Sequence, residues 1–289
     1  MSMDQEKLKQ LIYNKINHLP TLPEVIQKVV SLVQDERTSA RDLGNLISYD
    51  QAISSRLLKV ANSAYYGFSR KVSTIQHAIV IVGFEEVKSL SLSITVFDSV
   101  KGTNYDSFLT QDEFWKHSAG CSLAARIICK KLGRIDAEIA FTASLLHDIG
   151  KLILDNFFSR EYKMVLEKAQ GDGVTLVEIE KELLGFTHAD VGMWLCHRWK
   201  LPPSLASSIG YHHQVEEVDQ KYILMTSIVH LADIICKKAN IGSSGNKTIP
   251  PFQKVAKEKL CIEEDQIDHM IIELQNEGEK VQAFISSIQ

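Results

Sequence analysis

The sequence predicts an all-α protein, and three observations carry that reading. Apolar residues recur at i, i+3, i+4 spacing while clean alternation is scarce; Thr-x-x-Glu starts precede several apolar runs; and glycines stand where those runs stop. The chain has 289 residues, 45% hydrophobic and 24% charged, enough to bury a true core in one large domain or two smaller ones.

Taken in order, Leu8, Leu11, Ile12 and Tyr13 mark an amphipathic first helix. Leu19–Pro–Thr–Leu–Pro23 reads as an extended entry, because proline presets the backbone angle for the helix that follows. Val25/Ile26, Val29/Val30 and Val33 form the next apolar face, followed by Leu43, Leu46/Ile47 and then Ile53, Leu57/Leu58. Tyr65–Tyr66–Gly67–Phe68 with Arg70–Lys71 reads as a packed turn between lobes whose aromatics fill the core, with a ligand-stacking patch as the alternative. Lys101–Gly–Thr–Asn–Tyr–Asp–Ser107 is polar and glycine-bearing, and it separates an N-terminal helical lobe from the remainder.

Beyond it, Thr110–Glu113 and Thr175–Glu178 are capping boxes, and Thr187–Asp190 is an acidic variant. Gly133, Gly171 and Gly185 suit left-handed helix ends. Ile241–Pro251 is a loop before a final charged helix near Glu263–Ser286. Its stripe of Ile267, Met270, Ile271, Ile272 and Leu274 reads as a face docked on the domain, a dimer contact being the alternative. No fixed-period repeat appears, which disfavours a solenoid.

Composition narrows the function. The opening Met1–Ser2–Met3–Asp4–Gln5–Glu6 has neither the basic flank nor the apolar stretch of a signal peptide, and runs such as Ala78–Val82 fall far short of a bilayer span, so a cytoplasmic protein is expected. Five cysteines without a C-x-x-C pair fit reduced, buried thiols rather than a disulfide framework or a Cys-rich zinc site. Residues 1–105 carry 12 Lys/Arg against 10 Asp/Glu and the remainder 20 against 26, so neither part has the basic stripe that nucleic-acid binding requires. The oddity is histidine: seven of ten fall between residues 117 and 230, where an even spread gives about four.

The sharpest motif is Leu145–Leu–His147–Asp148–Ile–Gly150–Lys151. An imidazole and a carboxylate adjacent at a helix end can turn toward one divalent cation, the carboxylate can bridge to a second, and a lysine one turn on can face an anionic ligand. His117, His188, the His212–His213 doublet and Asp233 sit on helices that are otherwise apolar on one face, where such groups need a reason. Imidazole and carboxylate donors without thiolate favour Mn, Fe, Ni, Co or Zn, as one or two ions. His230, one turn before Asp233, is placed to orient a ligand through a hydrogen bond. The plain alternatives are a polar core that holds no metal, and a Lys151 that is simply a cation near a helix end.

His117, His147–Asp148 and Asp233 resemble the H…HD…D signature of the HD superfamily of metal-dependent phosphohydrolases. Leu19–Pro–Thr–Leu–Pro23, Ile47–Ser–Tyr–Asp50, Arg56–Gly67 and Ile79–Val–Ile–Val–Gly83 resemble the HDOD family, the HD-related output domain of bacterial signalling proteins, over about residues 12–240. That resemblance implies a two-lobed helical architecture. An N-terminal lobe would span about 12–105 and an HD-like C-terminal lobe about 110–240, with a helical extension over 250–289. It also implies a role in signal transduction, commonly without enzymatic activity.

The ligand set is also similar to the HD-GYP relatives, which hydrolyse cyclic di-GMP. Carried over, His117, His147, Asp148 and Asp233 would hold one metal, Asp148 would bridge to a second held by His188, His212 and His213, and Lys151 would contact a phosphate. Asp148 and Lys151 are thereby the expected catalytic residues. The chain departs from that group after His212–His213, where it continues Gln–Val–Glu–Glu–Val–Asp219 without a Gly-Tyr-Pro loop. The expected function is a regulatory protein with a metal-binding HD-like site, sensing a nucleotide or contacting a signalling protein. A phosphodiesterase-like, metal-dependent phosphohydrolase is the alternative. A cyclic (di)nucleotide or a protein is the expected partner, nucleic acid and membrane are not, and the oligomeric state is left open.

Overall fold

The structure, a computed structural model, describes residues 5–18, 24–34, 39–100, 109–133, 137–171, 173–245 and 248–288. Among these residues every regular element is helical and none is a strand. In chain order the helices are α1 (Gln5–Asn17), α2 (Glu24–Gln34), α3 (Ala40–Ser48), α4 (Gln51–Ala61), α5 (Ile75–Val82) and α6 (Phe84–Val100). There follow α7 (Gln111–Leu132), α8 (Ala137–Leu146), α9 (Ile149–Phe157), α10 (Ser159–Lys168), α11 (Leu176–Leu184) and α12 (His188–Arg198). The last are α13 (Pro203–Tyr211), a 3-10 turn at Val215–Glu217, α14 (Ile223–Lys238), α15 (Lys254–Leu260), α16 (Glu264–Asn276) and α17 (Gly278–Ile288). No helix among the described residues is long and apolar enough to cross a membrane.

The chain forms two units, neither continuous in sequence. One comprises Met1–Pro20 with Gly102–Gln275, the other Thr21–Lys101 with Asn276–Gln289. The first helix therefore belongs with α7–α16, and the last with α2–α6. In the smaller unit α4 packs on α5, α6 and α17 around Leu57, Val60, Leu90 and Phe284. The hydroxyls of Ser91, Ser93 and Thr95 on α6 are buried, and each donates to the carbonyl four residues back, so their burial leaves no donor unpaired. Tyr65 is buried edge-on against Tyr66 and packs on Phe284, while Tyr66 stacks on Phe68. The aromatic cluster is packing within this unit.

In the larger unit α7 packs along α8 and α14, and α12 packs on α9 and α13. Helix α1 docks by Leu8, Ile12 and Ile16, with Gln5 Nε2 donating to the Glu182 carbonyl and Arg198 Nε to that of Asn17. Contact between α9 and α12 requires Gly150, because a Cβ there would lie 1.9 Å from the His188 carbonyl oxygen.

Local starts and stops follow the sequence reading with specific exceptions. Thr175–Glu178 and Thr187–Asp190 close reciprocal capping boxes, and Gly133 (φ 73) and Gly185 (φ 83) end α7 and α11 in the left-handed region. Thr110 is the N-cap of α7 but makes no side-chain cap hydrogen bond, and the Glu113 carboxylate is turned to Lys116 at 2.8 Å, so neither half of the expected box forms. Ser39–Asp42 is a capping box the sequence reading passed over. Helix α10 ends at Lys168 with a right-handed Ala169 cap, so Gly171 is not its left-handed stop. The expected single helix over Glu263–Ser286 is two, α16 and α17, which fall in different units; Ile267, Met270 and Leu274 are buried and Ile272 is 56% exposed. On α1, Leu11 and Tyr13 face solvent and Ile16 takes the place expected of them. The Leu19–Pro23 entry and the Lys101–Ser107 break lie outside the described residues.

Candidate metal centre

Segments far apart in the chain converge inside the larger unit. Helix α7 contributes His117, the break between α8 and α9 contributes His147 and Asp148, and α12 opens on His188. The end of α13 contributes His212 and His213, and α14 contributes Asp233. All seven residues predicted as metal ligands are thus brought together. Six are 0–1% exposed and His213 is half-buried.

Two of the histidines are set by the same local device. His147 Nδ1 donates to the Ser144 carbonyl at 2.7 Å and His212 Nδ1 to that of Ile209 at 2.7 Å, each bonding the last turn of the helix it follows. A carbonyl only accepts, so Nδ1 carries the proton and Nε2 is turned inward. His188 reaches the same state through a carboxylate, its Nδ1 donating to Glu180 Oε2 at 2.7 Å.

The inward atoms fall into two groups. His117 Nε2 lies 3.1 Å and His147 Nε2 3.7 Å from Asp233 Oδ1. His188 Nε2 lies 3.1 Å and His212 Nε2 3.8 Å from Asp148 Oδ1, and His213 Nε2 is 3.2 Å from His188 Nε2. Asp148 also turns Oδ2 to His147 and His117, at 3.3 and 3.8 Å, so its two oxygens face the two groups. Behind each carboxylate stands a lysine. Lys151 Nζ donates to Asp148 Oδ2 at 2.7 Å and Lys237 Nζ to Asp233 Oδ2 at 2.8 Å.

Electrostatics follow from that placement. Burial resists charging Asp148, but His147 and Lys151 beside it hold its carboxyl well below the usual range, and Lys237 and His117 do the same for Asp233. Burial likewise resists charge on His147, yet Asp148 draws it well above the ordinary imidazole value. Burial and the neighbouring histidines push His212 and His213 well below it, into the neutral form in which imidazole ligates. His147 Nε2, His212 Nε2, Asp148 Oδ1 and Asp233 Oδ1 are buried without a hydrogen-bond partner. Each orphaned polar atom costs about 1–3 kcal/mol, and divalent cations held between the facing donors satisfy all four. The donor set fits such ions.

Other placements refine the sequence reading. Lys151, expected to face a phosphate, is 2% exposed and is bonded to Asp148 and to Ser244 Oγ at 3.0 Å, because a buried cation takes the nearest anion. It also lines a cavity of about 240 Å³ that reaches His188, His213 and Lys237. His230 Nδ1 donates to the backbone carbonyl of the candidate ligand His212 at 2.8 Å, and its Nε2 accepts from the Gln253 N–H. It fixes the turn that carries the doublet. Glu180, fully buried and anchored by Tyr162 O–H at 3.0 Å, was missed, as were Lys237 and Cys121. Cys121, which the sequence reading did not place in the donor set, brings its Sγ to 3.4 Å from His117 Nε2.

Known proteins bear on the fold. The HDOD domain family matches residues 19–215. An uncharacterised protein of Treponema pallidum is 24% identical over 230 residues, 79% of this chain, and the chain spans 44% of that relative's length. An HDOD domain protein of unknown function from Geobacter sulfurreducens has a solved structure that superposes with a TM-score of 0.80 at 24% identity, covering 99% of this chain and 98% of that one. A candidate phosphohydrolase from Shewanella amazonensis gives 0.74 at 23% identity, over 96% of this chain and 98% of that one. At these identities the solved structures speak for the fold alone.

Proposed function

The chain belongs to the HDOD domain family, and on that footing we propose that it is a bacterial signal-transduction protein whose HD-like unit holds one or two divalent transition-metal ions in a largely buried centre. The state of the centre is set by a bound nucleotide or passed to a signalling protein. The observation that carries this reading is the burial of the donors. Six of seven are 0–1% exposed, and four of their inward atoms have no hydrogen-bond partner, the state a bound cation relieves.

In this reading His117, His147 and Asp233 would hold one ion and His188, His212 and His213 the other, with the Asp148 carboxylate, whose two oxygens face the two groups, shared between them. A divalent metal bound there supplies Lewis acidity and acidifies water. The protein's own part is positional. Carbonyls of Ser144 and Ile209 fix two imidazoles, Glu180 fixes a third, and Lys151 and Lys237 neutralise the outer carboxylate oxygens. Both of those lysines are engaged by carboxylates, which leaves a phosphate fewer cations to meet.

One observation favours the phosphohydrolase reading instead. The cavity of about 240 Å³ brings Lys151, Lys181 and Lys237 to one opening beside His188 and His213, a cationic approach suited to a phosphate. Assay of the full chain, loaded with manganese or iron, against nucleoside phosphates and cyclic dinucleotides separates the two. The regulatory reading expects bound metal without robust turnover; robust turnover abolished by Asp148→Ala establishes the hydrolase.

A further inference from the structure

We infer that Cys121 is a ligand of the half-centre formed by His117, His147 and Asp233, which makes that half a thiolate–imidazole–carboxylate site for a borderline-soft ion such as zinc, iron(II) or cobalt(II). The inference rests on the metal-holding reading above and adds a donor to it. Cys121 lies four residues after His117 on α7, so the two side chains share one helix face. Cys121 Sγ is 3.4 Å from His117 Nε2, which is itself 3.1 Å from Asp233 Oδ1, and all four donor atoms lie within 4.8 Å of one another. Tetrahedral bonds of about 2.0–2.1 Å to nitrogen or oxygen and about 2.3 Å to sulfur place neighbouring donors about 3.3–3.6 Å apart. The observed separations bracket that spacing.

A second buried thiol on the adjoining helix gives the contrast. Cys236 on α14 directs its sulfur to backbone carbonyls, those of His117 and Ile241, both at 3.4 Å. It braces the backbone behind His117. Cys121, which also lies beside the Cys236 thiol, turns its sulfur to the imidazole nitrogen that faces Asp233, inside the donor cluster. The other half, Asp148 with His188, His212 and His213, has no sulfur. The two halves therefore differ in hardness, and thiolate biases the first toward zinc or iron(II) over manganese or magnesium.

The test is cobalt(II) titration of the full chain followed by absorption spectroscopy. Visible ligand-field bands report the centre, and a near-ultraviolet sulfur-to-cobalt charge-transfer band reports the thiolate. Both are expected in the parent and in Cys236→Ser; Cys121→Ser is expected to lose the charge-transfer band while keeping the ligand-field bands. Zinc-edge X-ray absorption on the parent, which needs no variant to fold, is expected to show a sulfur scatterer at about 2.3 Å. Ligand-field bands without charge transfer, a charge-transfer band that survives Cys121→Ser, or nitrogen and oxygen scatterers alone each overturn the Cys121 assignment and leave the metal centre standing. Absence of every cobalt band overturns the metal centre, and the Cys121 assignment with it.

Discussion

Glu180 Oε2 accepts two hydrogen bonds from one residue, the backbone N–H of His188 at 2.9 Å and its ring Nδ1 at 2.7 Å. The pair fixes where α12 begins and which ring nitrogen keeps its proton, so Nε2 is the atom left to face Asp148. A carboxylate behind a ligating imidazole raises its basicity and holds its plane. Glu180→Gln is expected to weaken metal binding at the His188 half by about 10–100-fold, measured by competition with a chromogenic chelator. Unchanged affinity would show that His188 does not ligate or that Glu180 does not tune it.

Gly150→Ala tests the packing that brings His188 to Asp148. The added methyl would lie 1.9 Å from the His188 carbonyl oxygen and 2.8 Å from the Gly192 nitrogen, both backbone atoms. Relief requires α9 and α12 to separate, at a cost of about 3 kcal/mol or more. Thermal unfolding should register a marked drop, whereas Gly278→Ala, which meets nothing within 4 Å, should be silent. Equal melting temperatures for the two variants would remove the close approach from the account.

The capping box that starts α11 anchors the helix that carries Glu180, and its contribution depends on pH. Backbone and side-chain hydrogen bonds from Thr175 hold the Glu178 carboxyl below its ordinary value of 4.5. A carboxylate depressed in the folded state stabilises fully above its unfolded value and loses that contribution as pH falls through the folded one. Thr175→Ala should cost about 1 kcal/mol near neutrality. The melting difference between the parent and Glu178→Ala should be present at pH 7 and shrink below the ordinary carboxylate range. A difference that persists undiminished in acid would mean that the ionised carboxylate is not its source.

The predicted donors were legible because each places a costly group on an apolar helix face, and because His147–Asp148 joins imidazole to carboxylate at a helix break. Their supports were not. Glu180 stands in Glu178–Ile–Glu180–Lys181–Glu182, which reads as a solvated charged face; only tertiary packing shows that this one carboxylate is fully buried. Cys121 had the right spacing from His117, but nothing local aims a buried thiol at an imidazole. Lys151 is held by Asp148, three residues back, and by Ser244, 93 residues on, and no local pattern encodes the second contact. The division of α16 from α17 falls in the non-apolar stretch Gln275–Lys280, where there is no apolar phase to read, and what separates the helices is the unit each packs into.

The central claim is that the buried cluster is a metal centre bridged by Asp148. Elemental analysis of the full chain, purified without chelator and reloaded with manganese, iron or zinc, tests it most directly with Asp148→Ala measured alongside. The account predicts one or two ions per chain in the parent, and loss of metal in the variant with helical circular dichroism retained. A folded parent chain that holds no ion after loading would contradict it.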